Sequence, residues 1–316
     1  MLLIKFKSLD FKGFSLFGYE IWILVFLPFN ILIAQNEQIE LAISNDKIVF
    51  VDKYYTSGLH LTYRKALEEE FLFSKKEDNK LQINVVLGNE TYTPRNLTSF
   101  NTNYFDRPYA GWFFAGFEIG QIKDKSAIFM GLETGITGKE SLSGKLQLAF
   151  HDLVGTESKP TWADEISYKW LVNLKSRYVL DFNLNNHHIL QNRLSSSLGT
   201  KDVFLENDLY YFFGRMNALK TSSRLYLVDE TQTNEFYGFV SVGYKYVVLN
   251  TLIQGSPFND KDPFTTEASK SVFRLSAGSV LKLKKTLLGL VLQFNTKETP
   301  ASTSHAYGTV SFARSF

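Results

Sequence analysis

Apolar and polar residues alternate along most of this chain. In the stretch KLQINVVLG (80–88), Leu81, Ile83, Val85 and Leu87 share one face, and in FYGFVSVGYKYVV (236–248) Phe236, Val240, Val242, Tyr244, Tyr246 and Val248 do so. Phe273, Leu275, Ala277, Leu281 and Leu283 continue the pattern, followed by Leu288, Leu290, Leu292 and Phe294. A period of two puts successive side chains on opposite faces, so these are strands of a sheet with one apolar and one polar side. Such segments recur to the last residue and amount to about a dozen, an even count of the kind bacterial single-chain barrels have. No second domain, linker, low-complexity tract or internal repeat interrupts them.

A soluble sandwich or barrel turns its apolar face inward, whereas an outer-membrane barrel turns it toward lipid. The second face decides between them. Trp170, Val172, Leu174 and Tyr178 alternate with Lys169, Asn173, Lys175 and Arg177, which suit a wet lumen. The segment 203–212 is ambiguous, because Phe204, Tyr210 and Phe212 share a face with Glu206 and Asp208. The chain ends YGTVSFARSF, with Val310, Phe312 and Phe316 on one side, the aromatic ending usual for bacterial outer-membrane strands.

The first residues fit an export signal. Lys5, Lys7 and Lys12 precede the apolar stretch IWILVFLPFNILIAQ (21–35), with a cleavage point near Ala34 or Gln35. The expected organisation is a signal over 1–35 and an all-β, antiparallel transmembrane barrel of about twelve strands over 36–316. The segments 123–126 and 282–285 read as periplasmic turns. Longer connections near 91–110, 137–165 and 250–268 then fall on the extracellular side, and 213–235 fits the alternation least well.

Composition narrows the function. Among 316 residues there is no cysteine, which excludes disulfides and Cys-based zinc sites, and the net charge of +2 offers no basic surface for nucleic acid. The 28 Phe and 16 Tyr favour strands and surfaces between an apolar and a wet phase.

One long connection carries a helix signal. In ESLSGKLQLAFHDLVG (140–155), Leu142, Leu146, Ala149, Phe150 and Leu153 recur at helical spacing, with Ser141 as N-cap and Gly155 as stop. His151 follows Gln147 by one turn, so both project from the same side.

Six ordered segments carry a resemblance. They are SND (44–46), DKYYTSG (52–58), YTP (92–94), DRPYAGW (106–112), SLSGKLQLAFHDLVG (141–155) and LIQGSPF (252–258). Together they are similar to the signature segments of the lipid A 3'-O-deacylase (LpxR) family over essentially the whole chain after the signal. The resemblance implies a twelve-stranded outer-membrane barrel that removes an ester-linked 3'-acyloxyacyl chain from lipid A of the outer leaflet. It also implies a calcium-dependent site between the barrel wall and a loop helix. On this reading His151 is the general base, and Asn45 and Asp46 supply hard oxygen ligands to Ca2+. Glu157 orients the histidine or joins the metal. Ser57, Tyr55 and Arg107 are the candidate substrate contacts, although Asn45 and Asp46 could simply face a wet lumen, Tyr55 could belong to an aromatic belt, and Arg107 could pair with Asp106. The expected protein is a monomer whose partners are lipopolysaccharide and the membrane. Where the family usually has Gly-Trp-Asp after the helix, this chain has Thr161, Trp162 and Ala163, a change that bears on metal affinity or acyl-chain choice.

Two other readings make distinct demands. A non-catalytic barrel acting as a pore or surface protein requires a conducting lumen or a dispensable His151. A soluble periplasmic β protein requires release from membranes without detergent.

Overall fold

The computed structural model describes residues 36–49, 53–68, 70, 72–73, 79–154, 159–185, 187–228, 233–258 and 262–316. The expected signal at 1–35, the helix stop Gly155 and the candidate ligand Glu157 lie outside the described residues. Twelve strands follow in order: β1 (Glu37–Asn45), β2 (Tyr54–Leu67), β3 (Lys80–Thr93), β4 (Ala110–Ile122), β5 (Ser126–Ile136), β6 (Trp170–Asn185), β7 (His188–Gly199), β8 (Asp202–Arg215), β9 (Glu235–Asn250), β10 (Ser271–Leu283), β11 (Thr286–Asn295) and β12 (His305–Ser315). Each pairs antiparallel with its neighbours in sequence, and β1 pairs with β12, closing the barrel. Closure leaves no strand edge with unpaired backbone groups, which hydrocarbon would penalise heavily.

The alternation in the sequence becomes the two faces of the wall. Val242, Leu275, Leu290 and Val310 stand exposed on the outer surface, while Gln38, Glu40, Arg64, Gln82, Glu133 and Asp181 are buried on the lumen side. The ambiguous segment of β8 resolves accordingly. Glu206, Asp208 and Phe212 are buried in the lumen, while Leu205, Leu209 and Phe213 are exposed outside. Aromatics are accepted inside because the lumen is filled rather than open, Phe212 packing with Ile189, Tyr237, Phe239 and Val280.

At the end that holds both barrel termini, the periplasmic end of such barrels, the turns after β4, β6 and β10 are short, and most connections at the other end are longer, the turn between β7 and β8 excepted. The segment between β8 and β9 is a long connection at the terminal end, which the alternation left unexplained. Residues 216–228 turn into the lumen. Leu219, Leu225 and Leu227 pack against Ile122, Phe129 and Val179. Arg224 Nη1 donates to Asp181 Oδ2 on β6 at 2.7 Å, and Val228 N donates to Gln82 Oε1 on β3 at 2.9 Å. Glu235 on β9 accepts from Ser222 Oγ and the Ser223 N–H, and Tyr226 bonds Ser311 on β12 at 3.1 Å. The segment is therefore anchored around the circumference. At the opposite end Trp112 and Phe114 pack with Ile166, Leu171 and Leu252.

Candidate active site

The helix expected near 140–155 is α1 (Ser143–Val154), in the loop between β5 and β6. It begins later than expected. Ser141 closes a preceding 3-10 turn (Lys139–Ser141), and Leu142, in the left-handed region at φ 61°, turns the chain into α1. The helix also presents the opposite face from the one its apolar spacing suggests. Ser143, Gln147 and His151 form the buried stripe, at 0%, 4% and 3% exposure, whereas Leu146 and Phe150 remain 48% and 41% exposed. The cause is what lies beneath it, namely polar strand ends on the outer barrel wall. Asn89 on β3 donates from Nδ2 to the Ser141 carbonyl at 2.8 Å and accepts at Oδ1 from Ser143 Oγ at 3.0 Å. Gly111 of β4 gives the space, since a Cβ there would lie 2.1 Å from Ser141 Oγ and 2.5 Å from Ser143 Oγ.

A cleft of about 140 Å³ opens between α1 and the ends of β1 to β3, with Asn45, Asp46, Thr56, Ser57, Gln147 and His151 forming its polar part. Three local features assemble it. Asn45 is the last residue of β1 and pairs with Ser57 on β2, which puts both on the outer face. A β-bulge between Tyr55 and Ser57 inserts Thr56 and sends its side chain to the cleft, the kind of redirection that bulges provide beside functional sites. Asp46, 1% exposed, accepts the Lys53 N–H at Oδ2 (2.6 Å), and Asn45 Oδ1 accepts the Lys47 N–H (2.7 Å), so the turn after β1 is fixed by its own side chains. Ile43, Leu59, Leu146 and Phe150 surround this polar part with hydrocarbon.

The donor set can be judged against a hard cation. The cleft offers the Asp46 carboxylate, the Asn45 side-chain carbonyl and the Ser57 hydroxyl, all oxygen, which suits Ca2+ in kind. Among the described residues no three His, Cys, Asp or Glu side chains gather into a metal cluster. A cation held here would need its further ligands from uncharged oxygens, from water or from residues outside those described.

Two expected substrate contacts stand elsewhere. Tyr55 precedes the bulge and points into the lumen, with ring centroids 5.3 Å from Tyr92 and 4.6 Å from Tyr307. Arg107 is 1% exposed and pairs with Glu298 at 3.0 Å while lying 4.7 Å over the Tyr92 ring, so it is neither open to a phosphate nor paired with Asp106. The two Asp106 oxygens accept instead from Tyr54 Oη at 2.7 Å and the Arg95 N–H at 3.0 Å. Residues absent from the sequence-based set also adjoin the cleft, among them Asn89, Thr56, which only the bulge reveals, and Trp162, which bonds Gln147.

The sequence model of the outer membrane protein LpxR family matches residues 21–316. The chain belongs to the LpxR family. Among solved structures, LpxR from Salmonella typhimurium is similar with a TM-score of 0.72 at 16% identity, covering 88% of this chain and 100% of that one. The β-domain of the Bordetella autotransporter BrkA aligns with a TM-score of 0.47 at 10% identity over 89% of this chain and 98% of its own. No curated protein sequence matches. The likeness to Salmonella LpxR is one of barrel fold, and this LpxR-family member is an outer-membrane protein.

Proposed function

We propose that this LpxR-family protein is a lipid A deacylase that hydrolyses an ester-linked 3'-acyloxyacyl chain of lipid A in the outer leaflet. The observation that carries the reading is the cleft, where buried His151 faces Asn45, Asp46 and Ser57 on the outer wall of a membrane barrel. A polar site ringed by exposed apolar side chains suits a substrate whose ester lies between hydrocarbon and headgroup. In the proposed chemistry, His151 takes a proton from water as the water oxygen bonds to the carbonyl carbon. It then returns the proton to the leaving alkoxide as the C–O bond breaks, so that a fatty acid and an alcohol depart. Asp46 and Asn45 would hold Ca2+, with Glu157 as a further ligand or as the group that orients the imidazole, and an ion held there would supply Lewis-acid polarisation of the ester carbonyl. Ser57 contacts the substrate within the cleft. The segment inside the lumen speaks against the alternative reading as a pore. Mass spectrometry of lipid A from cells with and without the gene tests the proposal. Loss of one ester-linked acyl chain in its presence is expected, and identical spectra with the protein folded in the outer membrane overturn it.

A further inference from the structure

Trp162 follows α1 in the chain and returns to cover it. Its φ of 51° is a left-handed conformation that a bulky residue adopts only under strain, so the surroundings must hold it there. They do so from two sides. The indole lies 5.2 Å from the buried Tyr109 ring, and α1 approaches closely at Gly144, where a Cβ would stand 2.9 Å from the indole. Its one polar atom is used inward, since Nε1 donates to Gln147 Oε1 at 2.9 Å.

An indole N–H can only donate, so it fixes which end of the Gln147 carboxamide faces it. The oxygen must point to Trp162 and the NH2 toward the barrel. There Nε2 lies 3.5 Å from Thr56 Oγ1, whose own hydroxyl donates to the Thr91 carbonyl at 3.3 Å. The order Trp162, Gln147, Thr56, Thr91 thus has one direction of donation, which leaves the second Gln147 N–H for the cleft that Gln147 lines. We propose that Trp162 is a positioning residue that locks the Gln147 carboxamide so that an N–H, not a carbonyl, faces the ester beside His151. This deepens the hydrolytic reading and rests on it. Without the indole donor the amide can rotate and present its oxygen where negative charge develops, an arrangement that opposes the reaction.

The test is a kinetic cycle on the full-length barrel in detergent, using lipid A as substrate. Trp162→Phe keeps an aromatic ring and removes the donor. Its kcat should fall by about 10- to 100-fold, less than the 10²–10³-fold typical of deleting a transition-state donor outright, with KM unchanged. Trp162→Phe added to Gln147→Leu should cost nothing further, because the indole acts only through the amide. An additive loss, or a Trp162→Phe enzyme with parental kcat, overturns the proposal. If Trp162→Phe fails to fold, Gln147→Glu replaces it: the carboxylate still accepts from the indole but has no N–H to give. Its kcat should fall, and parental kcat overturns the proposal. A second readout needs no substrate. Among the tryptophans of the barrel, Trp112, Trp162 and Trp170, the Trp162 indole N–H resonance should move in Gln147→Leu, and an unmoved resonance also overturns the coupling. A parent protein that deacylates nothing while this resonance moves overturns the hydrolytic reading and leaves the Trp162–Gln147 orientation standing.

Discussion

His151 projects from a loop helix onto the outer wall, so its side chain contributes to no strand ladder and to no packed lumen. His151→Ala is therefore expected to leave a folded, heat-modifiable barrel whose deacylation rate falls by about 10²- to 10⁴-fold, the usual contribution of general-base assistance. His187→Ala, in an exposed turn at the periplasmic end, is the matched control and should keep parental activity. Gly111 is the position where one added methyl group tests the seating of α1. Because its Cβ would collide with Ser141 and Ser143, Gly111→Ala should lift the start of the helix. Activity should drop while the barrel stays intact, and limited proteolysis should cut more readily near residues 140–154. At this scale the sequence exposed motifs but not directions. His151, Asn45, Asp46 and Ser57 lie in ordered segments that converge on one cleft. Tyr55 and Arg107 lie in segments just as distinctive yet point elsewhere, because a one-residue bulge flips a side chain across the wall and Glu298 lies 191 residues from its partner.

The loop that carries α1, residues 137–169, holds a carboxyl group whose titration bears on its packing. Burial raises Glu165 from its ordinary value of 4.5 to about 7, with Glu140 adding to the rise and Lys139 opposing it. The folded loop therefore binds this proton more tightly than the unfolded chain does. The resulting stabilisation is complete below about pH 4.5 and is lost as pH climbs through about 7. Hydrogen exchange, corrected for intrinsic rates, should show stronger protection in this loop at pH 5 than at pH 8, and Glu165→Gln should remove the difference. The helix itself was readable from its spacing, but its orientation was not. Periodicity shows that a helix has two faces and is silent on which solvent each one meets. Here Leu146 and Phe150 stay on the outer surface while Ser143 and Gln147 are buried, the reverse of a soluble protein.

For the molecule as a whole, the alternating strands and their closure were legible because the wall follows a period of two outside a few bulges such as that between Tyr55 and Ser57. Residues 213–235 were not, since the lumen segment is held by individual contacts such as Arg224–Asp181 and by a small apolar cluster rather than by a repeating pattern. That segment predicts a barrel without porin-like conductance. Purified protein in planar bilayers should give no stable open-channel current, whereas replacing 217–228 with a short turn should produce one. Arg224→Ala, which strands Asp181 in a buried setting at a cost of about 3–5 kcal/mol, should give intermittent openings. The position of the cleft has a consequence for the crowded membrane around it. A cylinder with chemistry on a single sector of its circumference is not free to choose its neighbours. Any association that covers β1 to β3 and α1 would close the cleft, and a lattice of copies in contact through β7 to β10 would leave every cleft open to the leaflet.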